Sequence, residues 1–312
     1  MIEKLLIVVT QTTILFLMMV VGVFTRRNKM FDESSIKKIA DFILVIITPC
    51  LIIKSFHQPF DPSMLKGMCA ALALALFSHF TAIVLARIFV RDADEGRRRM
   101  MRFATVFSNA GYMGIPLQYA ILGDRGVFYG SLYVVVFHIL CWTYGLWEMR
   151  GSFKGESVFK ILFNPGLLGV AAGLPFFLFS IKLPAVLFEP VKMISSLYTP
   201  LAMVVLGYYL AGAKFRMALR CKSSYLVLFL RHFIIPSVVM ALLCFLPCVS
   251  YEVAVAAMIP TAAPIAASVT MFSARYGRNP EFITALVAVS TLFSIITMPV
   301  LITVSMTLFF GR

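Results

Sequence analysis

Phe103 to Leu122 is an apolar stretch of about 20 residues, enough for a helix to cross a lipid bilayer, yet its middle reads Ser108-Asn109-Ala110-Gly111-Tyr112-Met113-Gly114-Ile115-Pro116-Leu117. Two glycines followed by a proline at that depth predict a broken hydrogen-bond ladder. Inside a bilayer, non-helical backbone is tolerated only where protein buries it or where it lines a polar cavity, and the freed amides then become donors for a ligand. A chain built around such a segment must supply the helices that enclose it.

The remaining sequence does so. Of 312 residues, 61% are hydrophobic and only 13% charged, which places the chain among polytopic membrane proteins. Ten apolar stretches of near-spanning length follow one another: Leu5 to Phe24, Ile36 to Ile53, Leu65 to Val90, Phe103 to Leu122, Val127 to Trp147, Val158 to Phe179, Val186 to Leu210, Tyr225 to Leu246, Val253 to Phe272 and Phe282 to Phe310. The first is too long for a signal-peptide core and lacks an Ala-x-Ala cleavage pattern, so it is expected to remain as a span.

The formal net charge is +14, but the basic residues fall in short clusters between apolar stretches, which tells against nucleic acid as a partner. They are concentrated in alternate connections: Arg26, Arg27, Lys29, Lys37 and Lys38; Arg91, Arg97, Arg98, Arg99 and Arg102; Arg150, Lys154 and Lys160; Lys214, Arg216, Arg220 and Lys222; Arg275 and Arg278. The excess of Lys and Arg on the cytoplasmic side predicts a multi-pass protein of the cell membrane, plasma or inner, with both termini outside the cytoplasm.

Five spans in each half force two homologous halves to lie in opposite orientation. Thr48-Pro49 recurs as Thr199-Pro200 and Gly22 as Gly173, both 151 positions on, while Pro116 is answered by Pro264 after 148. The expected fold is therefore all-α, with ten transmembrane helices as two inverted five-helix repeats, about 1–150 and 151–312, in one membrane domain spanning 1–312. Span nine reads Met258-Ile259-Pro260-Thr261-Ala262-Ala263-Pro264. Its two prolines free carbonyls, and its small residues admit another backbone, so spans four and nine are expected to cross at their breaks. Half-helix amino termini meeting at the midplane carry free amides and about half a positive charge each, which favours an anion.

Among side chains near the breaks, the Asn109 carboxamide is suited to bind a carboxylate or to cap the broken helix. Tyr112 offers an aromatic wall or a hydroxyl, or packs as core. Arg231 either snorkels to the cytoplasmic edge or attracts the anion. His79 and His138, near mid-span, are either hydrogen-bonded core histidines or carriers of a coupled proton. Ser290, Ser294 and Thr297 share one helical face, which marks close packing against the crossing. No span has a carboxylate at its centre, so neither a carboxylate proton relay nor a carboxylate cation site is expected. The six cysteines show no CxxC or Cys/His spacing; no metal and no cofactor are expected. No nucleophile elbow, HExxH or phosphate loop is present, so the chain is not read as an enzyme.

Asn109 with Met113-Gly114-Ile115-Pro116-Leu117, Pro260-x-x-x-Pro264 followed by Ala274-Arg275-Tyr276, and Ser290-Thr291-Leu292-Phe293-Ser294 with Pro299 resemble the auxin efflux carrier family, which includes plant auxin carriers and bacterial malonate-type transporters. The resemblance covers nearly the whole chain and implies a fold related more distantly to sodium-coupled bile acid symporters. It implies a scaffold of spans one, two, six and seven, a transport domain of the other six that moves as an elevator, and a homodimer. It places an organic anion at the crossing, on Asn109, Gly111, Gly114, Pro116, Pro260 and Pro264; Tyr112 and Thr261, read from the residues themselves, are further substrate-binding candidates there. Thr261 and Ala262 stand where some plant relatives have more polar residues, which tells against auxin itself as the substrate. The expected function is a secondary active or facilitative carrier of a small carboxylate; the alternatives are a ligand-binding receptor without translocation, a channel, and a sodium-coupled symporter of the bile acid type.

Overall fold

Four helices begin directly after an aspartate or asparagine. In the computed structural model, which describes residues 2–150, 165–276 and 279–309, Asp32, Asp61, Asp94 and Asn279 accept from the amides of Ser35, Ser63, Arg97 and Phe282, the caps that satisfy first-turn donors. The helices are α1 Ile2–Arg27, α2 Glu33–Phe56, α3 Pro62–Phe89, α4 Glu95–Val106, α5 Ala110–Arg150, α6 Pro165–Leu178, α7 Ala185–Ala211, α8 Phe215–Leu219, α9 Lys222–Cys244, α10 Tyr251–Ala262, α11 Ser268–Arg275 and α12 Pro280–Leu308. Of these, α1, α2, α3, α5, α7, α9 and α12 are long and apolar enough to cross a membrane, and α6 and α10 are shorter apolar helices. The described residues form no β-strand beyond one isolated bridge. Lys154, Lys160 and Arg278, the start of the Val158 to Phe179 stretch and the terminal Phe310 lie outside the described residues.

Two boundaries differ from the apolar stretches. The Phe103 to Leu122 stretch begins inside a helix that starts eight residues earlier, at Glu95, because Asp94 caps it there. The part of that stretch from Ala110 onward and the Val127 to Trp147 stretch are joined in one helical run whose direction changes at Gly123 (φ 63°, ψ −148°). That backbone region is open essentially only to glycine, and the space around Gly123 is free, so the requirement there is conformational.

Helices α1 and α7 meet backbone to backbone. A Cβ on Gly22 would overlap the Val204 carbonyl oxygen, and one on Gly207 would overlap that of Met19. A matching seam joins α2 to α6, where Gly173 lies on Ile53 and Phe56 and Gly169 on Pro49 and Ile52. Small residues permit this approach where lipid supplies no hydrophobic drive between helices. Large apolar side chains remain exposed on the outside, among them Leu17, Phe80, Val186 and Ile296.

At one end of the bundle the arginine-rich turn is partly neutralised. Glu148, almost fully buried, takes Arg87 at 2.9 Å and Arg102 at 3.9 Å and accepts from the Tyr144 hydroxyl. Glu148→Ala leaves two partly exposed guanidinium groups without this partner and is expected to lower stability by roughly 1–2 kcal/mol, between surface and buried pairs. Detergent-phase thermal melts check this; an unchanged melting temperature would contradict it.

Candidate functional site

Two helix ends face each other through an extended crossing. Helix α4 stops at Val106, followed by Phe107 (φ −97°, ψ 112°), and α10 stops at Ala262, followed by Ala263 (φ −65°, ψ 151°). Ala263 precedes a proline, which disfavours helical backbone there. The two extended segments pair at Ser108 and Ile265: the Asn109 amide donates to the Pro264 carbonyl at 2.7 Å, and the Ala266 amide to the Phe107 carbonyl at 2.9 Å. Helices α4 and α10 have 12 residues each, about 18 Å, or somewhat over half the hydrocarbon thickness of a bilayer.

The position of the first break departs from the sequence reading. Gly111, Gly114 and Pro116 lie beyond it, in a π turn Ala110–Gly114 and the first turn of the helix that follows. Pro116 stands inside α5 just after that turn, where its missing amide leaves a carbonyl of the turn without a helical donor. The break itself, at Phe107 to Asn109, contains neither glycine nor proline. The residues paired across the crossing are Ser108 and Ile265; Pro264 lies within this pairing and Pro116 outside it.

The crossing redirects amides and strands carbonyls. In an unbroken helix the carbonyls of Thr105, Val106 and Thr261 would take the amides of residues 109, 110 and 265. Those amides are bonded instead to Pro264 O, Ser108 O and Ser290 Oγ, at 2.7, 2.8 and 3.0 Å. All three orphaned carbonyls accept from Arg231: its Nη1 reaches Thr105 O and Val106 O at 3.4 and 3.5 Å, and its Nη2 bonds Thr261 O. Arg231 is fully buried, so it does not snorkel. It makes no salt bridge among the described residues, and its Nε is unpartnered.

Other donors at the crossing are free. Asn109 Nδ2, Ser108 Oγ and Ser268 Oγ are buried without a hydrogen-bond partner among the described residues. The Asn109 side chain does not cap the following turn; its backbone carbonyl instead accepts from Met113 and Gly114. Gly111 faces the Tyr198 hydroxyl, 3.7 Å from the position of an added Cβ, and Gly114 lies against Pro260. Tyr112 is half-buried and packs on the core that contains Tyr198. Pro260 is enclosed within α10. The Thr261 hydroxyl is engaged with Ala257 O at 2.8 Å and Ser78 Oγ at 3.1 Å, and Ser78 in turn with the Tyr133 hydroxyl at 3.0 Å.

The histidines divide. His79 binds its own helix carbonyl, Ala75 O, through Nδ1 at 2.8 Å, leaves Nε2 unpartnered, and stands beside Phe107 and Tyr133. His138 is half-buried and has a ring contact with its neighbour Phe137. His232, not singled out from the sequence, is fully buried with Nε2 2.8 Å from Ser290 Oγ and Nδ1 2.9 Å from Thr297 Oγ1. Ser290 accepts from the Ile265 amide, so His232 is one hydroxyl away from the crossing. The available signal was the pair Arg231-His232. Consecutive residues on an α-helix point about 100° apart, and the π turn Leu230–Ile234 carries this pair, both members buried.

Among the described residues no cluster of three or more His, Cys, Asp or Glu is placed to hold a metal ion. The arrangement has polarity instead. Carboxyl ends of α4 and α10 converge on Arg231, while at the amino ends that restart at Ala110 and Ser268 the amides of Ala110, Val269 and Thr270 are bonded to nearby carbonyls and the side-chain donors Asn109 Nδ2, Ser108 Oγ and Ser268 Oγ are unpartnered among the described residues. It can hold an anion. The family described as "Membrane transport protein" matches residues 7–159 and 153–302. No curated protein matches the chain.

Proposed function

The chain belongs to the membrane transport protein family, that of the auxin efflux carriers, and from that membership we propose that it is a secondary carrier moving a small organic anion, a carboxylate, through the crossing. The observation that carries this reading is the set of buried, unpartnered donors Asn109 Nδ2, Ser108 Oγ and Ser268 Oγ beside two half-helix amino termini. A carboxylate supplies the acceptors such groups lack.

Ten membrane helices in two inverted repeats fit the packing. Gly22 lies on Val204 and Gly173 on Ile53, and each partner of the first contact sits 151 positions from its counterpart in the second, the spacing already seen between Thr48-Pro49 and Thr199-Pro200. An elevator movement suits these seams, which tie α1 to α7 and α2 to α6 as a scaffold distinct from the crossing. The basic connections would face the cytoplasm, and the exposed apolar faces of α1, α2 and α7 would meet in a homodimer.

The energetics favour export without a coupled cation. An anion leaving a negative interior moves downhill by about 2.3 kcal/mol per charge per 100 mV. Solid-supported-membrane current after a carboxylate concentration jump is expected with and without sodium, at about pH 6 and about pH 8. A current found only with sodium would overturn sodium independence, and one lost at the higher pH and in His79→Ala would move the reading to proton coupling. Saturable binding without current or flux would replace the carrier with a receptor.

A further inference from the structure

We propose that the carbonyls of Thr105, Val106 and Thr261 form a monovalent-cation site at the crossing whose resident cation is the chain's own Arg231. Three observations meet there. The carbonyls are those whose helical amides the crossing has diverted to Pro264, Ser108 and Ser290. They belong to the carboxyl ends of two helices, each worth about half a negative charge, so together they balance one guanidinium. The guanidinium is fully buried and makes no salt bridge among the described residues.

An ionised side chain without a carboxylate partner is costly at this depth. Here the helix ends compensate it, and it compensates them. Loss of Arg231 therefore leaves a negative, oxygen-lined space of cation size. A guanidinium or alkali ion from solution fits that space by the same chemistry, since carbonyl oxygens are ligands for both. The inference rests on and deepens the carrier reading, because a built-in cation explains why such a carrier has no need of a bound one at this position.

The test is melting of purified protein, which requires neither substrate nor flux, so its outcome is separate from that of the carrier proposal. Arg231→Ala is titrated with methylguanidinium chloride or sodium chloride up to about 50 mM, with choline chloride holding ionic strength constant. The variant is expected to melt below wild type and to regain about 3 °C or more with methylguanidinium or sodium, while wild type does not respond. No response in the variant beyond that of wild type overturns the proposal. Should Arg231→Ala fail to fold, Arg231→Lys and Arg231→Gln decide: a lysine variant melting well above the glutamine variant supports the site, and equal melting overturns it.

Discussion

Asn109→Ala is expected to weaken carboxylate binding roughly 10- to 100-fold while changing stability by less than about 1 kcal/mol. A hydrogen bond to a charged group contributes about 1.5–3 kcal/mol, and 1.4 kcal/mol is a factor of ten in affinity. The amide Nδ2 has no partner within the described protein, so its removal breaks no internal bond and eliminates an unsatisfied donor, which offsets part of the lost packing. The two readouts must therefore separate. Mono- and dicarboxylates are first screened by thermal shift on wild-type protein, and the most stabilising one is carried into uptake and melting measurements on the variant. Wild-type affinity in Asn109→Ala would remove this residue from the site; a large fall in melting temperature would make it structural.

The largest loss of stability is expected at the α1–α7 seam, where Gly207→Ala costs about 3 kcal/mol or more or prevents folding. An added methyl there overlaps the Met19 carbonyl oxygen, and the reciprocal change at Gly22 overlaps that of Val204. Both obstacles are backbone, so no rotamer change relieves them. Overpacking in tight cores costs about 1–3 kcal/mol even where side chains can yield. Gly123→Ala is the informative comparison, because its surroundings are open and only its φ of 63° opposes a side chain, a penalty of about 1–3 kcal/mol. Melting temperatures of the three variants should fall least for Gly123→Ala; a Gly207→Ala protein that melts with wild type would mean that the seam is looser than this packing.

Features that depend on local or one-dimensional physics are legible in the residues alone. Apolar stretches of bilayer length located α1, α2, α3, α7, α9 and α12, since hydrophobic thickness sets a minimum run of residues. The break at Pro264 was legible because a proline removes an amide and pushes Ala263 out of the helical region wherever it occurs. Asn109 was legible as a polar group amid an apolar run, and the face shared by Ser290, Ser294 and Thr297 followed from helical spacing. The remaining features come from contacts distant in the chain. Phe107 to Asn109 carry no helix breaker; they are extended because a segment 157 residues further on offers its Pro264 carbonyl and Ala266 amide as partners, and no local pattern records a partner that distant. Arg231 read equally well as a snorkelling residue or as one that attracts the anion. Its burial was settled only when two helix carboxyl ends and three orphaned carbonyls came together around it, because the free energy that keeps a charge out of water there belongs to the crossing and not to the residue.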